Sequence, residues 1–511
     1  MFKILFFVTI CPFIAYAQLV QPQRFERELS NFEDGFEVMA GGEDGLILYR
    51  WLNEYDKQGG QLWEFVLLDT ALNVSWEKKL FMERNIVFKG YDFSMGSYYF
   101  LFQQNSSNSK DLKLMQMRQN NGDTLRYTIK NLVPLELTEF EITDGAALLG
   151  GYYNGEPLVI HFDFQEMKTK VLPGIFGSKT ELVQLKVDDN AITVLVSDKT
   201  IDKRNTLTIK NYDIDGEYLN TFTFNPDLDK GLIFGRITEI ENETDLVVGT
   251  YGPKRSEYSR GLFLGVVNEM NQQQIKYFNY ANFENFFNYM RIKRRERVSN
   301  RIDRKKIQGK KIKFNYRLLV HEIFKQGDDY IILGEAFYPK YSSTGTYYDV
   351  ETSQFGNYGG FRGLGRPNDY TPTNFAGYRY THAVVAAFNS QGEMIWDNSF
   401  EIEDVISFSL DQYVKASFTE EGIVLLYLYD NQIRSKIIRG SEVVEGKKFD
   451  DLKLTFEDDQ VNNYLSTKVG GLEKWYGDTF VAFGVQRIKN LKDSGVELNR
   501  KVFYVNKVEY H

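Results

Sequence analysis

One cysteine, four histidines and ten prolines are spread over 511 residues. The cysteine, Cys11, sits in an apolar stretch near the start of the chain, and everything after it is thiol-free. That excludes disulfides, thiolate metal sites and cysteine nucleophiles from the body of the protein. His161, His321, His382 and His511 show no pair spacing by which one strand or helix supplies two metal ligands. Each reads as a satisfied histidine at a strand end, and the adjacent His321 and Glu322 fall on opposite faces of a strand. Past the first 18 residues, no apolar run reaches the roughly 18 to 20 residues that cross a bilayer as a helix. No transmembrane segment is expected in the mature chain, which leaves room for peripheral membrane association. An exported domain without disulfides rests on a large core. The composition provides one: 42% of residues are hydrophobic, with 40 Phe and 33 Tyr, in short alternating runs that favour sheet over helix.

The chain begins MFKILFFVTICPFIAYAQ, with one early charge at Lys3, an apolar run from Ile4 to Ile14, and Ala15-Tyr16-Ala17 at its end. This predicts a signal peptide over residues 1–17 and a mature chain from Gln18, located in the periplasm or at the cell surface. Ile10 stands before Cys11 where a lipidation site needs a small residue, which argues against a lipid anchor.

Beyond the leader, a strand-turn-strand unit recurs seven times at roughly 40 to 50 residues with one longer gap, and an eighth copy stops halfway, the mark of a radial or stacked repeat. Leu67-Leu68-Asp69-Thr70-Ala71-Leu72-Asn73-Val74-Ser75-Trp76 aligns without a gap on Ala387-Phe388-Asn389-Ser390-Gln391-Gly392-Glu393-Met394-Ile395-Trp396. Asp163 with Glu166, Asp213 with Gly216, and Asn268 with Asn271 repeat the turn more loosely, as expected where Asx side chains cap it and Gly or Asn takes positive φ. The second strand of a unit is usually the most apolar. The last unit lacks an outer strand, while Arg24 to Leu29 alternates polar and apolar ahead of the first. Pairing the two removes exposed edges. The expected fold is therefore all-β: a single β-propeller domain over residues 18–511, with eight blades or, with one unit miscounted, seven, closed by an N-terminal strand.

Two interruptions flank or enter the sixth unit. Residues 285–317 carry thirteen Lys and Arg against Glu296 and Asp303 in a chain whose net charge is −9, so an acidic body bears one basic arm. Phe287, Met290, Arg294, Val298 and Ile302 fall at helical spacing, predicting an amphipathic helix from about Asn285 to Lys306. Residues 341–380 are rich in Gly, Tyr, Asn and Thr and read as a long surface loop with an aromatic face.

Other chemistry is poorly supported. The carboxylates are too numerous to single out an acid and a base. The glycine run from Gly359 to Arg366 lacks the Lys-Ser/Thr of a phosphate loop, and the Asx turns match no EF-hand. FNSQGEMIW has Phe388 and Ser390 where the sialidase Asp-box wants Ser and Asp. No cofactor, metal site or catalytic residue is expected. Nucleic acid is disfavoured as a partner by export and by the acidic body.

The hairpin form F-N-x-x-G-x-x-x-W at Phe388 to Trp396, together with the A-x-A-Q leader end, resembles secreted β-propeller proteins of the Gram-negative bacterial envelope. That resemblance implies a non-catalytic interaction or scaffold module, an accessory subunit of an outer-membrane assembly. The alternative is a propeller that hydrolyses, cleaves or binds glycans. The expected contact residues for an envelope protein or anionic envelope polymer are Arg291, Arg294, Arg295, Arg297, Arg301, Lys305 and Lys306 on the arm, strengthened by Phe286, Phe287 and Met290, and Tyr347, Tyr358 and Phe361 on the loop.

Overall fold

The computed structural model describes residues 19–510 except 105–109, 132, 189–190, 241–243, 268–271, 342–374, 463–469, 493–494 and 496. Residues 1–17, where a signal peptide is expected, therefore lie outside the described residues, as do Asn268, Asn271 and the loop residues Tyr347, Tyr358 and Phe361. Eight antiparallel sheets succeed one another along the chain, spanning 37–82, 86–129, 136–171, 181–223, 230–279, 317–401, 415–451 and 471–510. They are the eight blades of a β-propeller.

Within each blade the strands run from the ring axis outward. The first strands are Glu37–Ala40, Ile86–Ser94, Glu136–Ile142, Glu181–Asp188, Lys230–Ile240, Arg317–Gln326, Lys415–Thr419 and Gly471–Lys474, and neighbours among them touch around the axis. The second strands are sandwiched between adjacent sheets, which is why they read as continuous apolar runs. Leu46 to Tyr49 and Val194 to Val196 have no exposed surface.

The last blade takes its outer strand from the other end of the chain. Arg24–Leu29 pairs antiparallel with Asn499–Tyr510, Arg24 opposite Asn506 and Leu29 opposite Lys501. Leu29 is buried beside Phe36, Val481, Phe503 and Val505. The Arg24 guanidinium donates to Asn506 Oδ1 at 2.7 Å and Gln486 Oε1 at 2.8 Å. The expected closure is present, and eight rather than seven is the count.

The hairpin turns explain the internal alignment. Asp69 Oδ1 accepts from the Ala71 and Asn73 amides, Asn389 Oδ1 from Glu393, and Asp213 Oδ1 from Glu217, the capping expected of Asx turns. Each turn seats against the outer part of the preceding blade. Trp76 lies over Gly122 of the second blade, and Trp396 over Gly440 of the seventh, which is why the two tryptophans align. A Cβ on Gly392, at φ +69°, would meet Leu264 of the fifth blade at 2.6 Å.

Leu72, the counterpart of Gly392, corrects the expectation that Gly or Asn takes the left-handed conformation of this turn. Its φ is +59°, and its side chain is buried with Trp475, Val481 and Val505 of the eighth blade. A left-handed leucine costs about 1–2 kcal/mol, less than the roughly 1.5–3 kcal/mol that burying it contributes. At the seam, then, a leucine plugs the seat that glycine leaves elsewhere.

Candidate functional site

The basic arm is rooted in the ring. The chain leaving the fifth blade is held by Asp397 of the sixth, whose carboxylate accepts from the Glu284 amide at 2.7 Å and the Asn285 amide at 2.8 Å. Ser399 Oγ donates to the Asn285 carbonyl at 2.8 Å. Tyr289 then stacks on His382 at 3.7 Å between ring centres and 6° between planes, and its hydroxyl lies 3.1 Å from that of Tyr316. Phe286 packs edge-on to the same imidazole. Burial depresses His382 to about 3, so it is neutral and structural.

The helix α1, Ile292–Ile307, starts seven residues later than the periodicity predicts, because this aromatic root occupies the first turn. Phe286 and Phe287 are core residues, 0% and 6% exposed. That overturns the expectation that they strengthen a contact with a partner. Met290, Val298 and Ile302 pack α1 onto the ring as the spacing implies. Packing must hold the helix, since its first turn has no acidic residue and its N-cap, Arg291, makes no side-chain cap, against the sense of the helix dipole.

Arg294, Arg297, Arg301 and Arg304 recur at i, i+3, i+7 and i+10, which places them along one flank of α1 over roughly 15 Å, and all four are exposed. Among the described residues none of the four forms an ion pair. Arg291 and Lys306 are also exposed, but Arg295 and Lys305 are partly buried, and Arg295 donates to Asn288 Oδ1 at 3.1 Å. Of the predicted loop, Tyr341 ends one strand and Phe375–Phe388 forms the next, so residues 375–380 belong to the sixth blade.

A second polar site was not picked out from the sequence. The first strands carry Glu37, Tyr91, Glu139, Glu141, Arg236, Lys415 and Glu473 toward the axis, where their charges act on one another across blades. Glu139 and Glu141 stand two apart on one strand and so share a face. Burial pushes both carboxyls up, Glu139 to about 7 and Glu141 to about 8, with Asp92 and Glu139 raising the latter further and Arg236 opposing. Burial alone lifts Glu37 to about 7. Burial pulls Lys415 down, but Glu473, 2.8 Å away, outweighs it and the amine is raised. The three raised carboxyls, Glu37, Glu139 and Glu141, are the ones that hold and release protons near neutrality. The signal that would have found them is the Glu-Phe-Glu-Ile run at 139–142, charged at every second position where the strand preceding the apolar one must face the axis.

Among the described residues the three histidines, His161, His321 and His382, form no metal-binding group. His161 contacts the Ile214 carbonyl at 3.1 Å and His321 lies 3.1 Å from Glu335, a buried carboxylate that also accepts from the Val414 amide at 2.6 Å. Among the described residues no group of three or more His, Cys, Asp or Glu is arranged to hold a metal, and no helix is long and apolar enough to cross a membrane.

No protein-family model matches the chain, and no curated protein sequence matches it. Solved structures similar to it are propellers or contain them. The Dos1 propeller aligns over 96% of this chain and 95% of its own at 9% identity and a TM-score of 0.37. The propeller domain of the Trilobed protease from Pyrococcus furiosus aligns over 82% and 93% at 8% and 0.35. The polysaccharide lyase Uly1 aligns over 82% and 89% at 7% and 0.37. At these levels the likenesses carry no argument about activity; the eight-bladed β-propeller stands on the strand order itself.

Proposed function

We propose that this protein is a non-catalytic docking module of the cell envelope, periplasmic or at the cell surface, and that α1 is its contact element for an acidic surface of an envelope protein. The observation that carries this reading is the arginine stripe. Four exposed guanidiniums stand on a helix whose other side is fixed to the core, so little order is lost when they engage carboxylates in bidentate fashion.

The test is co-isolation from envelope extract with Arg294, Arg297, Arg301 and Arg304 all changed to Glu. The partner is expected to be lost while the melting temperature holds, since all four side chains are exposed, and wild-type binding is expected to weaken with salt over a screening length of about 8–10 Å. Undiminished recovery from the variant in high salt would overturn the assignment, and capture of an anionic polymer without protein would replace the protein partner by the polymer.

A second reading rests on the axis. Carboxyls poised near neutrality beside Arg236 suit general acid-base work on a glycan. Glycan breakdown by the wild type that Glu141→Gln abolishes would favour it over docking; no breakdown across a panel of neutral and acidic polysaccharides would set it aside.

A further inference from the structure

At the seam, beside the exit of the closing strand, a cavity of about 670 Å³ opens on the end of the eighth blade. Its volume falls within the roughly 300–1,000 Å³ of small-molecule sites. Two features of its lining are unusual. Arg487 and Lys501 stand directly opposite each other in the antiparallel ladder, a like-charge pairing that destabilises a sheet. Lys489, two residues on from Arg487, shares its face and lies between Gln460 on one neighbouring strand and Asn499 on the other.

No carboxylate lines the cavity among the described residues. Of the nearby acids, Asp459 and Glu26 hold Arg500 at 2.5 and 3.6 Å and Asp458 holds Lys492 at 2.7 Å, while Asp34 and Glu33 attract Lys501 from outside the lining. Among the described residues Lys501 donates to neutral acceptors, the backbone carbonyls of Asn31 and Glu33, and burial followed by repulsion from Arg487 depresses it against the pull of Asp34 and Glu33. Arg487 also donates to Asn31 Oδ1 at 3.0 Å.

We infer that this cavity binds a polyhydroxylated anion, a sugar bearing a carboxylate or a phosphate. Three cations converge on one face to receive the anionic group, and the amides of Asn31, Asn499 and Gln460 supply paired donors and acceptors for hydroxyls. An anion there also relieves the Arg487–Lys501 repulsion. Because Asn31 belongs to the exit of the closing strand, occupancy ties that strand to the blade, and the ligand stabilises the closed ring. The inference is independent of docking through α1.

The test is titration calorimetry and thermal melting of the full chain with glucuronate, glucose 6-phosphate, glucose and inorganic phosphate at low salt. Glucuronate, glucose 6-phosphate or both are expected to bind with Kd of about 1 mM or tighter and to raise the melting temperature; the tighter of the two names the source of the anionic group. Lys489→Ala, at an exposed side chain with no hydrogen bond or ion pair among the described residues, should weaken binding about tenfold without changing the unliganded melting temperature, and Arg487→Lys should weaken it less than Arg487→Met. No binding of either sugar anion overturns the inference. So does equal binding of glucose, binding of inorganic phosphate as tight as that of the sugars, or affinity unchanged in Lys489→Ala.

Discussion

The seam can be probed with one side chain. Leu29, on the closing strand, is 7% exposed and fills a cluster drawn from the first and eighth blades. Replacing a buried leucine with alanine costs about 2–5 kcal/mol through lost burial and the cavity left behind. An unfolding entropy of about 2.1 cal/mol/K per residue, over roughly 490 residues, comes to about 1 kcal/mol/K, so Leu29→Ala should lower the melting temperature by about 2–5 °C. Leu228→Ala, at a leucine 79% exposed, is the control and should stay within about 0.5 kcal/mol. A chain starting at Phe32 instead of Gln18 should fall further than Leu29→Ala, and a peptide covering 19–31 added in trans should recover part of the loss. Scanning calorimetry reads all four. A Leu29→Ala chain that melts with the control, or a truncated one within a degree or two of the parent, would mean that the N-terminal strand does not hold the ring shut.

Gly392→Val should destabilise by about 1–2 kcal/mol through its left-handed backbone alone, more with the contact to Leu264, whereas Leu72→Gly trades lost burial against relieved strain and should fall by no more than about 2 kcal/mol; urea unfolding in which Leu72→Gly is more stable than the parent would refute the plug at the seam. Because Glu141 is raised to about 8 in the folded protein, its contribution to stability is whole below the ordinary carboxyl value and is lost as pH rises through about 8. Glu141→Gln should therefore gain on the wild type with rising pH in melts from about pH 5 to 9, and a gap independent of pH would sink the argument. His382, depressed to about 3, works in the opposite sense: its contribution is present above the ordinary histidine value of about 6.5 and is lost as pH falls toward about 3. Proton NMR should find its ring neutral at pH 5, and a titration near 6.5 would contradict the buried stack on Tyr289.

The repeat was legible because its strongest signals are local. The apolar second strands, the Asx turns at Asp69 and Asn389, and the spare strand at Arg24 to Leu29 each leave a mark within about ten residues. The turn at Leu72 misled for a physical reason. Its left-handed backbone is stabilised by burial in a blade made of residues some 400 positions away, which no local pattern reports. The arm illustrates both halves. Val298 and Ile302 announced an anchored face, but Phe286 and Phe287 looked like contact residues until the sixth blade was seen to enclose them. The axial glutamates escaped notice because carboxylates acquire meaning only when eight first strands bring them to one line.

The closure carries a consequence for how the chain is made. The strand that completes the eighth blade is synthesised long before its partner; Arg24 and Asn506 are separated by 482 positions. Until the final hairpin appears, Arg24–Leu29 is a free sheet edge, and contacts of this range are slow to form. The segment is RFEREL, with four charges in six residues, and inward or alternating charge is what keeps an open edge from pairing with another chain. The same residues that later lock the ring, Arg24 onto Gln486 and Asn506 and Arg27 onto Glu64 and Glu77, thus guard the nascent protein against aggregation while it waits for its partner strand.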